Sequence, residues 1–415
     1  MMLLNLFDLQ MSLKSILIII ILLIAVLMIF FSPKLIRIYK FMNLYQKDNI
    51  AENFISMDKL FNPGPMIKAA DEPYAFKTQS FTLPQSYQFE EESKDLIEAL
   101  DYFETDGLLV LKNDTILYEK YWHGNSKSSQ HISYSVAKSF LSALIGIAYE
   151  DGLIDDLNDP IDKYLTDFNN SGYAGVPIVD LLQMSSGILF NEDYADPKSD
   201  INRFGRAIAG GISMRDFAKT LQNEKPPGTY HHYVSIDTQM LAMLLVEVTG
   251  KSVSQNLQEH IWSKINTEYD AYYTLDDAGM EVALGMLSAS LRDFAKFGLL
   301  YLNRGKWNGK TVVPESWVDA SHTLEKDHLI PGDNPNSSDK WGYGYQWWIP
   351  GFPDTDYIAS GIYNQYIYID PLSRVVIAKT SSNYKFPQEK QFSKDSHVAI
   401  FRAIAAAVEA ANLDV

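Results

Sequence analysis

Ser135-Val136-Ala137-Lys138 sets a hydroxyl and an amine three residues apart at the start of an apolar stretch. A serine hydroxyl is a weak nucleophile at neutral pH and needs a base beside it. On a helix, residues three apart share a face, so Lys138 can reach the Ser135 oxygen. The first turn of that helix would also aim free backbone amides and a positive dipole at an oxyanion formed there. A lysine withdrawn from water loses its proton near neutrality and can act as the base. The chemistry within reach is acyl transfer. Spacing alone does not single the pair out, because Ser56/Lys59, Ser337/Lys340 and Ser382/Lys385 repeat it. Those three stand in polar or irregular sequence, whereas Ser135 opens a long amphipathic pattern.

Two later stretches carry related chemistry. Pro227-Gly228-Thr229 leads into Tyr233-Val234-Ser235 and then a helical pattern. A tyrosine at such an entrance can stand over a nucleophile and hand a proton to the leaving group, or can be a core tyrosine with a satisfied hydroxyl. Ala359-Ser360-Gly361-Ile362 precedes the last apolar runs. Gly361 there permits close approach of a substrate to a strand edge, or is an ordinary loop glycine.

The elements that must position these residues are readable in outline. Residues 107–121 predict a hairpin turning at Asn113-Asp114, and 135–150 a helix stopped by Gly152. Residues 155–292 read as helix and loop, with helices at 238–249 and, straddling the end of that stretch, 288–301. Residues 365–370 and 374–380 flank Pro371-Leu372-Ser373 as a second hairpin, and a helix at 396–412 closes the chain. Strands at both ends with helices between predict one sheet assembled from distant segments.

The start of the chain is different. Residues 16–31, ILIIIILLIAVLMIFF, are unbroken apolar sequence. As a helix they would extend about 24 Å, against roughly 30 Å of bilayer hydrocarbon, with flanking serines and lysines making up the rest. No small-x-small cleavage site follows, only Ser32-Pro33-Lys34, so a single-pass signal anchor is expected rather than a cleaved leader or a core helix. Lys34, Arg37 and Lys40 follow the run while Lys14 alone closely precedes it, a balance that by itself favours a cytoplasmic body. The expected division is 1–33 as anchor, 34–78 as a tether packing on the domain, and 79–415 as the catalytic domain, with a helical subdomain at about 155–292.

Composition removes several classes of function. The 415 residues carry a net charge of −17 and no long basic run, which argues against a nucleic-acid partner. There is no cysteine, so thiol catalysis, disulfides and Cys-based zinc sites are out. The eight histidines show no metal-ligand spacing, and no metal is expected. His231-His232 would either line the cleft or form a solvated pair, and Glu90-Glu91-Glu92 reads as solvated surface. Neither a Gly-x-Ser-x-Gly elbow nor a phosphate-cradling glycine loop is present.

In chain order, Ser135/Lys138, Tyr233/Ser235 and the small-x-Gly entrance at Gly361 resemble the serine β-lactamase and penicillin-binding-protein superfamily. More narrowly they resemble the class C-related esterases and the 6-aminohexanoate-dimer hydrolases. The resemblance spans roughly residues 54–406. It includes DLLQMSSG at 180–187, PGT at 227–229, LSASLRDFAKFG at 287–298, GYGYQWW at 342–348 and QYIYIDP at 365–371. It implies an α/β (α+β) three-layer sandwich, an antiparallel sheet flanked by helices plus a helical subdomain, here preceded by one transmembrane helix. It implies Ser135 as acylated nucleophile, Lys138 as base and Tyr233 as proton-transfer partner, with no organic cofactor. The oxyanion hole would be the backbone amides of Ser135 and Ile362, and Tyr194, Ser235 and Gly361 would contact substrate. Two departures matter. Ala359 stands where β-lactamases and peptidases carry a lysine for the substrate carboxylate, and Ser235 stands where they carry asparagine. The expected substrate is therefore a small ester or amide. The alternatives are a catalytically silent binding or sensor protein and a D-Ala-D-Ala peptidase or β-lactamase. Relatives with N-terminal apolar segments act outside the cytoplasmic membrane, so the resemblance implies an extracytoplasmic domain held by the anchor.

Overall fold

The computed structural model describes residues 13–351, 354–411 and 413; the side chains of 13, 24–35, 37 and 41, within the first helix, lie outside the described set. The main sheet has eight strands: β1 (Lys77–Thr78), β2 (Thr105–Lys112), β3 (Thr115–Tyr121), β4 (Gly342–Tyr343), β5 (Trp348–Ile349), β6 (Tyr357–Gly361), β7 (Gln365–Asp370) and β8 (Val375–Ser381). Their order is β1-β3-β2-β8-β7-β6-β5-β4. Only β1 pairs parallel, with β3; every other pair is antiparallel. The β2–β3 hairpin turns at Asn113, whose φ of 52° lies in the left-handed region that asparagine tolerates.

Alternation along the strands builds two cores. Leu109, Leu111, Ile367, Ile369, Val376 and Ala378 face one side, where helices α2 (Ala137–Glu150) and α5 (Leu291–Leu302) pack. Leu108, Val110, Tyr366, Tyr368, Val375 and Ile377 face the other, against α6 (Phe386–Ala410) and the short helix Leu96–Tyr102. Because both faces are covered, β2 reads as a continuous apolar run instead of alternating with polar residues. Helices α3 (Asp200–Ala209) and α4 (Ser235–Thr249) belong to the helical region beyond α2. Buried on nearly all sides, α2 lies between that region and the sheet. Gly146 is what admits its neighbour: a Cβ there would lie 2.4 Å from the Trp317 ring. The three-layer sandwich is the architecture expected from the sequence.

Boundaries shift where packing overrides pattern. The last helix begins at Phe386, ten residues before the apolar periodicity, with a kink at Glu389 (φ −117°). Two polar residues of its early turns, Ser393 and Lys394, are nonetheless buried: the Lys394 ammonium lies 4.3 Å from the Trp341 ring and 4.2 Å from the Trp348 ring, and 3.0 Å from Asp339. Helix α4 likewise starts at Ser235 rather than 238.

The membrane anchor is corrected. The apolar run at 16–31 falls within α1 (Leu13–Asn43), and its side chains from 24 onward lie outside the described set. Among the described residues no helix is long and apolar enough to cross a membrane. The apolar run itself gives about 24 Å of helix, short of the roughly 30 Å that a span needs. The single-pass anchor, the membrane as a partner and the extracytoplasmic placement built on it fall together. Instead, the far end of α1 turns onto the protein body, where Lys40 Nζ donates to the Lys59 carbonyl at 2.8 Å. Beyond it Leu44, Ile50, Phe54 and Met57 are buried. The Phe54 ring meets Tyr134 at 5.2 Å and Tyr363 at 5.4 Å, beside the two turns that hold Ser135 and Ile362.

Candidate active site

The nucleophile candidate sits on a strained turn. Tyr134, a non-glycine residue, has φ of 44°, and Tyr134–Val136 forms a 3₁₀ turn before α2 begins. Such strain persists only where surrounding packing enforces it. Here the enforcing contact is the Phe54–Tyr134–Tyr363 ring cluster.

Lys138 Nζ donates to Ser135 Oγ at 3.1 Å and also bonds the Leu284 carbonyl. In the other three Ser-x-x-Lys pairs no such bond joins serine to lysine among the described residues. Lys138 is 1% exposed. Burial pushes its pKa down to about 7, against the opposing pull of the Glu192 and Asp237 carboxylates. The Tyr233 hydroxyl is hydrogen-bonded to Ser135, and burial pushes its pKa up, which keeps it protonated. Its ring stacks on Trp348 at 5.2 Å and lies 5.4 Å beneath Lys138 Nζ. Lys138 and Tyr233, about a hundred residues apart in sequence, thus converge on the Ser135 hydroxyl.

At the end of β6, Gly361 lies against the backbone that leads into Ser135. A Cβ on Gly361 would fall 2.5 Å from the Ser133 carbonyl and 3.1 Å from the Ser135 amide. Only glycine allows this approach, and it brings Ile362 into the same cavity as Ser135. Ser135 and Ile362 each carry a main-chain amide, the kind of donor an oxyanion needs. Ala359 is buried in β6, paired with Ile367, and offers no cation. The cations among the cavity's described lining residues are Lys40 and Lys59, both from the N-terminal segment.

Tyr194 and Ser235 line this cavity of about 740 Å³ as well. What holds them is Glu192, which no local pattern singles out. Its Oε1 accepts from Tyr194 Oη at 2.7 Å and from Ser235 Oγ at 2.5 Å, and its Oε2 from the Ser235 amide at 3.1 Å. A glutamate in a polar loop reads as surface unless its partners are known, and these lie up to 43 residues away. The histidine pair is not solvated either. His231 is buried, bonded to Ser337 Oγ at 2.9 Å, and burial pushes its pKa down to about 3. Half-buried, His232 meets the Phe190 carbonyl at 2.6 Å. Among the described residues no group of three or more acidic or histidine side chains could hold a metal ion.

Glu192→Gln is expected to act in two ways. Loss of the carboxylate loosens Tyr194 and Ser235, lowering kcat/KM by roughly tenfold. It also removes a negative charge that favours the Lys138 ammonium, so the acid limb of the pH profile moves to lower pH. A stopped pH titration of initial rates checks both; an unmoved limb would leave Glu192 with a purely structural part.

Comparison with known proteins agrees with this geometry. The family model described as Beta-lactamase matches residues 94–398. A 6-aminohexanoate-dimer hydrolase of Paenarthrobacter ureafaciens is 31% identical over 301 residues, which take in 69% of this chain and 75% of that protein. The teichoic acid D-alanine hydrolase of Staphylococcus aureus is 28% identical over 138 residues, 33% of this chain and 31% of that one. Among solved structures, a Bacillus anthracis protein provisionally assigned as a 6-aminohexanoate-dimer hydrolase superposes with a TM-score of 0.78 at 27% identity, covering 87% of this chain and 96% of its own. The hydrolase EstCE1, with a TM-score of 0.57 at 12% identity over 74% of this chain and 98% of its own, shares the fold alone. With a family match over most of its length and a relative this similar, the chain belongs to the β-lactamase family, as a hydrolase of the superfamily that also holds the penicillin-binding proteins.

Proposed function

We propose that the protein is a serine hydrolase that cleaves a small ester or amide through an acyl-enzyme on Ser135. The observation that carries this reading is the 3.1 Å contact between Ser135 Oγ and a buried Lys138 whose pKa lies near 7. At neutral pH about half of such lysines are free amines, able to take the hydroxyl proton.

Ser135 Oγ attacks the carbonyl carbon as its proton passes to Lys138 Nζ. The oxyanion takes hydrogen bonds from the Ser135 and Ile362 amides. The bond to the leaving group then breaks, and the proton returns from Lys138 through the Tyr233 hydroxyl to the departing oxygen or nitrogen. Water repeats the sequence on the acyl-enzyme, releasing the acid and restoring Ser135. Tyr194 and Ser235, held by Glu192, border the substrate.

Ala359 in place of a cation removes the group that would hold a β-lactam or D-Ala-D-Ala carboxylate, which supports esters or linear amides instead. The names of two relatives, a 6-aminohexanoate-dimer hydrolase and a teichoic acid D-alanine hydrolase, point the same way.

The test pairs a covalent probe with a substrate panel. A fluorophosphonate should label the peptide carrying Ser135. Turnover should be found on p-nitrophenyl acetate or butyrate or on a 6-aminohexanoate dimer, and be at least tenfold weaker on nitrocefin and a D-Ala-D-Ala peptide. Absent labelling together with absent turnover would favour a silent binding protein.

A further inference from the structure

The cavity that holds Ser135 does not end at the catalytic groups. It continues between α3 and the N-terminal segment made of the end of α1 and the residues after it, lined by Ile36, Leu60 and Phe61 on one side and by Phe204 and Ile208 of α3, with Met286, on the other. The first three residues lie before residues 94–398, the stretch that the family model matches. Among the described residues the charged lining groups are Lys40, Asp58, Lys59 and Asp277, two of each sign, so they give the channel no net charge to select an ionic substrate. One of them, Lys40, already donates to the Lys59 carbonyl.

We propose that this channel receives the acyl half of the substrate, and that the acyl half is a medium-length uncharged hydrocarbon chain. The proposal rests on the reading of Ser135 as acylated nucleophile and Tyr233 as proton donor to the leaving group. Given those roles, the side follows from geometry. The leaving group must sit beside the Tyr233 hydroxyl, and neither Tyr233 nor Lys138 is among the channel's lining residues. Ser135 and Ile362 are, so a chain extending from the acyl carbon has the channel open to it while the leaving group does not. The volume of about 740 Å³ lies in the range that encloses a drug-sized molecule, well beyond what an acetyl group fills.

A chain-length series on the full-length protein tests this. Each methylene moved from water against an apolar wall raises kcat/KM by up to about fourfold. With p-nitrophenyl esters from acetate to octanoate, kcat/KM is expected to rise at least about 30-fold. Lengthening the alcohol of an acetate ester from ethyl to octyl should give less than about a threefold change. Ile208→Asp on α3 and Leu60→Asp on the opposite wall should each lower the octanoate-to-acetate ratio by roughly tenfold or more, with folding checked by thermal melts. A flat acyl series, or a rise on the alcohol side alone, would overturn the assignment while leaving the hydrolase intact. No turnover of any ester, with no probe labelling of Ser135, would instead strike at the underlying function.

Discussion

Ser135→Ala is expected to lower kcat/KM on every substrate the protein turns over by roughly 10⁴-fold or more, and to abolish fluorophosphonate labelling. The variant removes one oxygen, and with it the atom on which Lys138 and Tyr233 converge. Neither partner loses its setting: Lys138 keeps the Leu284 carbonyl, and Tyr233 keeps its stack on Trp348. The folded state should therefore hardly change, with a melting midpoint within about 3 °C of wild type. That combination separates chemistry from folding. Paired measurements of initial rate and thermal melting decide it, and a variant within tenfold of wild-type turnover would remove Ser135 from the mechanism.

How far the sequence revealed this site depends on the kind of contact involved. Ser135 and Lys138 are legible because three-residue spacing on an apolar helix is a local fact. The strands at 105–112, 365–370 and 375–381 are legible for the same reason, since their apolar runs are dense and bounded by turns at Asn113 and Pro371. Glu192 is the opposite case. Its burial is decided by Ser235 and by the fold that brings helix α4 to it, and its neighbours Asn191 and Asp193 are exposed. Lys394 is hidden in the same way: a lysine in a polar decapeptide gives no sign that two tryptophans will enclose it. The N-terminal segment misleads most. Its apolar run invited a membrane, while the residues that do most for the site, such as Phe54 and Leu60, sit in helices of five and four residues with no periodicity to read. Local patterns report what an element is, and only the packed fold reports what it touches.

Lys138 is where the electrostatics can be read directly. A lysine with its ordinary pKa would be almost wholly protonated at neutrality and useless as a base; burial brings this one down to about 7. The active form is the free amine, so kcat/KM should rise with pH along a one-proton limb centred near 7 and level off above 8. Two units below that midpoint about one enzyme in a hundred carries the free amine, so activity at pH 5 should be near 1% of the plateau. Lys138→Arg keeps a cation that does not deprotonate in a protein, and should cost about 10³-fold or more on the plateau. Because it also forces a permanent charge into a buried site, Lys138→Met is the cleaner companion: a flexible, unbranched side chain that carries neither the base nor a charge. Both variants should lose the limb centred near 7 along with the rate. A wild-type limb centred more than about one unit away, or an arginine variant keeping a tenth of the activity, would mean that another group takes the Ser135 proton. Glu192 and Asp237, the carboxylates acting on Lys138, would then be the first candidates to replace it.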